Sequence, residues 1–230
     1  LCIPFFGGCS KKSDEDGYTI AASFYPVYIF TKNIVDGIED VDVRCMADQT
    51  VGCLHDYRLT ASDMTLLCDC DALVVNGAGM ESFIEDAVKN CGGLKIIDSS
   101  IGIELLKEEH DGHEEYGHEE DEDAHEHGEY NSHIWMAPSN AAIQVENIKN
   151  ALVGMMPEHS DVLERNASRY IERLEEIDKE LSKSLSGYTE KTMFVFHEAY
   201  AYFEKAYSVK MYSFIEGEEG QDASAKDIAF

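Results

Sequence analysis

Residues 72–75 are four consecutive apolar residues, Ala-Leu-Val-Val, the pattern of a short strand covered on both faces inside a parallel sheet. Around this run, strand-like and helix-like segments alternate. Strands are predicted at 18–24, 41–46, 72–75 and 94–97. Helices are predicted at 26–35, stopped at Gly37, and at 60–70, with Thr60 or Ser62 as cap and Asp63 in the first turn. A third helix is expected over 80–90, closed by Gly92-Gly93. Parallel strands need crossover connections, and helices at this spacing supply them. The chain is therefore expected to be α/β, built of βαβ units around a parallel sheet.

The second half changes scale. A helix is predicted over 139–156, stopped by Pro157, and a longer one over 161–186, capped by Ser160 or Asp161 and ended by Gly187. In the longer helix Leu163, Ala167, Tyr170, Leu174, Ile177, Leu181 and Leu185 step by three and four residues, a seam along one face. At 1.5 Å per residue it would span roughly 40 Å, which suits a strut between two lobes. A strand at 192–196, a helix at 198–206, a strand at 209–214 and the start of another helix follow. Two strands do not make a stable lobe, so the second lobe is expected to be incomplete in this chain. The expected organisation is a signal remnant and tether at 1–17, an N-terminal α/β lobe at 18–138, connecting helices at 139–187 and the start of a C-terminal lobe at 188–230.

Charge narrows the partners. A net charge of −28 on 230 residues excludes nucleic acid, whose phosphates demand a basic stripe. An acidic surface suits cations instead. No stretch of 18 or more apolar residues is present, so no bilayer-spanning helix is expected. The opening Leu-Cys-Ile-Pro-Phe-Phe-Gly-Gly-Cys-Ser reads as the tail of a bacterial lipoprotein signal, with Cys9 the lipidated residue and a flexible tether to Gly17. Phe6 stands where that motif usually has leucine. A frayed apolar terminus with a chance cysteine is the alternative. Five further cysteines, Cys45, Cys53, Cys68, Cys70 and Cys91, lie in the first half of the chain. Two readings stay open for them: buried thiols, or a disulfide somewhere between Cys45 and Cys91.

Residues 108–129 carry five histidines (His110, His113, His118, His125, His127) and twelve Asp or Glu, with no Lys or Arg. A stretch so polar cannot bury apolar surface and is expected to stay solvated. It can still offer imidazole and carboxylate to a borderline metal such as zinc, through many weak sites. An acidic surface loop with incidental histidines is the plainer reading. Three other histidines have different surroundings. His55 falls in the loop after the second strand, His133 at the exit of the acidic tract, and His197 directly after the strand at 192–196. In open α/β sheets ligands bind beyond the carboxyl ends of strands, where His55 and His197 should project. Three neutral imidazoles converging in a cleft would suit a divalent metal. Taken singly, each could as well be a hydrogen-bonded loop histidine.

Three segments carry a resemblance: Leu54-His55-Asp56-Tyr57 with Ser62-Asp63, His133-Ile134-Trp135 with Pro138, and His197-Glu198-Ala199-Tyr200-Ala201-Tyr202-Phe203. In this order they closely resemble motifs of the solute-binding lipoproteins of bacterial metal-ion ABC transporters, zinc branch. The resemblance runs from about Tyr18 to Phe230. It implies two α/β lobes bridged by a rigid long helix, a metal in the interlobe cleft, and His55, His133 and His197 as zinc ligands. Manganese-type relatives typically have a carboxylate at the position of His197, so a histidine there favours zinc; the histidine-acid loop is likewise a zinc-branch feature. Leu54 stands where other members have Glu. Many zinc receptors draw a further acidic ligand from a C-terminal stretch not in this chain. The fourth ligand is therefore open between water, such an Asp or Glu, Cys53 and Glu198.

The expected function is capture of Zn²⁺ outside the cytoplasm by a lipid-anchored, monomeric receptor and delivery to a membrane permease with its cytoplasmic ATPase. The alternatives are a zinc hydrolase with Glu198 as general base, a surface zinc buffer or adhesin, and a manganese-type receptor.

Overall fold

The computed structural model describes residues 17–47, 54, 57–89, 91–108, 129–195, 197 and 199–213. Strands β1 (Tyr18–Ala22), β2 (Val41–Cys45), β3 (Ala72–Val75) and β4 (Lys95–Asp98) form one parallel sheet in the order β2-β1-β3-β4. All of β3 is buried, as its unbroken apolar run requires. At the sheet edge β2 alternates, with Val41 and Val43 inward and Asp42 and Arg44 in solvent.

Helix α1 (Tyr25–Ile34) starts with Pro26 in its first turn and buries Val27, Phe30, Thr31 and Ile34, one helical face. Helix α2 (Ala61–Asp69) starts at a reciprocal cap. The Asp63 main-chain N–H donates to Thr60 Oγ1, while the Asp63 carboxylate accepts from the Thr60 N–H at 2.7 Å. The helix expected over 80–90 is not continuous. It is a 3₁₀ turn at Ser82–Ile84 followed by a four-residue helix α3 (Glu85–Val88). The segment is tied at both ends: Glu81 turns inward to the chain after β3, and Cys91 is bonded to Cys68 at the end of α2.

Helix α4 (Pro138–Met155) packs Ala141, Val145, Ile148 and Leu152 into the core shared by β1, β3 and α1. Helix α5 (Ser160–Ser186) has 27 residues, roughly 40 Å. The predicted seam is half used by that core. Leu163 and Ala167 are buried and Tyr170 and Leu174 pack at its edge, whereas Ile177 is 45% exposed. Between them Asn166 Nδ2 donates to the carbonyls of Ile34 and Asp36, at 3.1 and 2.8 Å, closing the C-terminal end of α1. Farther along, Asp178 accepts from Tyr207 Oη at 2.6 Å. Tyr207 ends α6 (Ala201–Tyr207), the crossover between β5 (Thr192–Val195) and β6 (Lys210–Ser213), which pair in parallel. The long helix thus runs from the first sheet to the second, as a strut must.

Cys68 and Cys91 form a disulfide, so the bridged reading holds for that pair. Cys70 remains a buried thiol, and burial pushes its pKa up. Cys45 Sγ donates to the Ala47 carbonyl. Cys2, Cys9 and Cys53, the tether and the last predicted helix lie outside the described residues. Among those described, no helix is long and apolar enough to cross a membrane.

Candidate metal centre

The chain leaves β1 for β2 on one side and later enters β3 on the other. Such a reversal opens a crevice at the carboxyl ends of the two strands. Ser23 and Asn76 stand there, the first residues beyond β1 and β3, and both are buried. The Glu81 carboxylate ties them together. Its Oε1 accepts from Ser23 Oγ and the Asn76 N–H, each at 2.7 Å, and its Oε2 from the Gly77 N–H at 3.0 Å. Burial pushes this carboxyl up to about 7; the three donors pull it back in part and Asp98 adds to the rise. Sequence reasoning passed over Glu81. The available signal was an acid in Asn76-Gly77-Ala78-Gly79-Met80-Glu81, directly after a fully buried strand.

The same crevice fixes the approach to α4. Asn76 Nδ2 donates to the Ser132 carbonyl at 2.9 Å, and Gln144 of α4 donates to Asn76 Oδ1 at 3.0 Å and Ser99 Oγ at 2.9 Å. The residue after Ser132 is His133, 5% exposed. Its ring lies 5.2 Å from Trp135, which in turn meets Phe24 edge-on at 4.9 Å.

His197, just past β5, reaches the same point from the other sheet. Its Nε2 is 3.3 Å from His133 Nε2, with the rings at 83°. Two nitrogens bound to one tetrahedral zinc at about 2.0–2.1 Å are separated by about 3.3–3.4 Å. The pair therefore already has the spacing of two ligands on one ion. Without metal the same spacing serves an N–H···N bond between rings of opposite tautomer.

His55 itself lies outside the described residues; Leu54 before it and Tyr57 beyond it are described. Leu54, 4% exposed, packs with Ala47 and Met80 against Phe24, Tyr57, Phe83 and Trp135. Tyr57 Oη donates to the Asp63 carboxylate at 2.8 Å; burial, with Asp63 adding to it, pushes the phenol up to about 12. Both described neighbours of that loop are thus held in the cluster that contains Trp135, the residue against His133. Leu54 is an apolar anchor.

The histidines His110, His113, His118, His125 and His127, together with Cys53 and Glu198, also lie outside the described residues. The ends of the acidic tract do not. Lys107 and Tyr130 pair as an antiparallel bridge, the Glu108 N–H donates to Glu129 and the Asn131 N–H to Leu106. The tract leaves and returns at one neck, two residues from His133. Among the described residues no group of three or more His, Cys, Asp or Glu is placed to hold a metal; what they bring together is the imidazole pair.

The chain as a whole is similar to known proteins. The zinc-binding lipoprotein AdcA of Streptococcus pneumoniae is 29% identical over 211 residues, covering 91% of this chain and 41% of that protein. The high-affinity zinc uptake system protein ZnuA of Bacillus subtilis is 31% identical over 223 residues, covering 96% of this chain and 68% of its own length. The crystal structure of Zn(II)-bound AdcA from Streptococcus pneumoniae matches with a TM-score of 0.75 at 25% identity, over 91% of this chain and 42% of that one. The chain thus spans about two fifths of AdcA. The model of the periplasmic zinc-uptake complex component A, ZnuA, matches residues 20–230. With its paired parallel sheets, its long joining helix and a match over nearly its whole length, the chain belongs to the ZnuA family of zinc-uptake components.

Proposed function

We propose that the chain is the zinc-receiving part of an extracytoplasmic receptor that captures Zn²⁺ between two lobes and passes it to a membrane ABC permease driven by a cytoplasmic ATPase. In this reading residues 18–138 form the first lobe, 139–187 the connecting helices, and 188–230 open the second. Cys9 carries a lipid anchor, and the receptor acts as a monomer. The observation that carries the proposal is the 3.3 Å spacing of the Nε2 atoms of His133 and His197, which come from different sheets and meet at the distance a tetrahedral zinc requires. His55 is the third ligand, on a loop whose described flanks lie against Trp135. The tract at 108–129 gathers zinc weakly at the neck beside the pair. A receptor is preferred to a hydrolase using Glu198 because the relatives are named for zinc binding and uptake.

The test is calorimetric titration of the natural full-length protein with Zn²⁺ and with Mn²⁺, beside His55→Ala, His133→Ala and His197→Ala. Trp135, the single tryptophan of these 230 residues and a neighbour of His133, gives an independent fluorescence readout. Zinc should bind far more tightly than manganese, and each variant should lose affinity by orders of magnitude. Wild-type affinity in all three variants would reject the assignment.

A further inference from the structure

Asn131 is buried, and each of its four polar atoms has a partner. Its main-chain N–H donates to the Leu106 carbonyl at 2.8 Å, closing the neck of the acidic tract. Its main-chain carbonyl accepts from Tyr202 Oη at 2.8 Å. Its side-chain Nδ2 points to Glu108 Oε1 at 3.5 Å. Its Oδ1 lies 3.0 Å from the His133 main-chain nitrogen and 3.2 Å from His133 Nδ1.

The last two contacts determine a hydrogen position. A main-chain N–H can only donate, so the Asn131 atom facing it is the carbonyl oxygen. That oxygen only accepts, so His133 Nδ1 must carry a hydrogen. A neutral imidazole protonated at Nδ1 has its lone pair at Nε2, the nitrogen that faces His197.

Tyr202 extends the arrangement across the two sheets. It lies in α6, five residues beyond His197, and packs with Ile103, Ile134 and Ala137. Its hydroxyl accepts from the Leu106 N–H at 3.1 Å while donating to Asn131. The tyrosine therefore docks the segment that carries His197 onto the residue that orients His133.

We infer that Asn131 is the positioning residue of the centre: its side-chain oxygen holds His133 in the metal-accepting tautomer, and its main-chain carbonyl, through Tyr202, sets His197 opposite. The inference rests on the reading that the imidazole pair holds zinc. Ligand histidines held by an outer hydrogen bond typically lose about 10- to 100-fold in metal affinity when that partner is removed.

Two measurements on the full-length protein test it. The first is long-range ¹H–¹⁵N correlation NMR of the metal-free protein with labelled histidine, which reads the His133 tautomer without any substitution. Hydrogen on Nδ1 is expected; hydrogen on Nε2 alone would overturn the inference. The second is zinc affinity by competition with a chelating dye. Asn131→Leu, which removes the acceptor, should bind about 10- to 100-fold more weakly. Asn131→Asp, made together with Glu108→Gln so that no second carboxylate faces it, keeps the acceptor and should match or exceed the wild type, a rescue that a purely space-filling role would not give. Tyr202→Phe should weaken binding while the His133 tautomer stays as in the wild type. Wild-type affinity in Asn131→Leu, or no recovery in the double variant with Asn131→Asp, would overturn the role of the side chain; wild-type affinity in Tyr202→Phe would overturn the docking role. If Asn131→Leu fails to unfold cooperatively, the tautomer and the affinity of that double variant decide. His133→Ala separates the two levels. Full zinc affinity there defeats the metal reading itself, whereas its loss beside an unaffected Asn131→Leu defeats this inference alone.

Discussion

Replacing Glu81 with glutamine should remove a specific slope from the stability of this protein against pH. The carboxyl is 8% exposed, and its burial between the ends of β1 and β3 raises it from 4.5 to about 7. The folded protein therefore keeps this proton to higher pH than the unfolded chain does. The contribution is fully present below about 4.5 and is lost as pH rises through about 7. At about 1.4 kcal/mol per pH unit the whole effect is about 3 kcal/mol, of which roughly 2.5 kcal/mol falls between pH 5 and 8. Glutamine has no proton to lose. It does turn an N–H toward the Gly77 N–H, a cost on the order of 1–3 kcal/mol, but that cost is the same at both pH values. The assay is urea unfolding followed by Trp135 fluorescence, with chelator present, at pH 5 and pH 8. Between the two, the wild type should lose roughly 2.5 kcal/mol more than Glu81→Gln. Other titrating groups are common to both proteins and cancel. Parallel losses in the two would refute the argument and show that the hydrogen bonds from Ser23, Asn76 and Gly77 compensate for burial.

Replacing residues 109–128 with a short turn should lower zinc stoichiometry and leave the tight-site affinity unchanged, because the pairing of Lys107 with Tyr130 and of Glu108 with Glu129 across the neck is kept. Calorimetry checks this, and a collapse of the tight site would implicate a tract histidine such as His125 or His127 as a ligand. Replacing Cys68 and Cys91 with serine should cost about 3 kcal/mol in urea unfolding, the chain-entropy value for a separation of 23 residues; an unchanged midpoint would show that the unfolded chain gains little freedom.

Local pattern determined much of this protein. The unbroken apolar run of β3 announced a buried parallel strand, and Thr60 with Asp63 announced the start of α2. The three-and-four spacing after Ser160 announced a helix too long for one lobe. These features were legible because neighbours along the chain decide them: side-chain periodicity, a cap within one turn, a proline or glycine stop. The break at 80–90 was not legible, since Glu81 and Cys91 turn from helix toward partners that only the fold brings near. Likewise, spacing along the chain nominated His133 and His197, 64 residues apart, while only the family resemblance implied that they meet on one metal. The tertiary structure decided that meeting, along with Asn131, Tyr202 and Glu81 around it. Hydrogen bonds and burial between distant segments carry no periodic signature, and one asparagine or glutamate reads the same in sequence whether it faces solvent or orients a ligand.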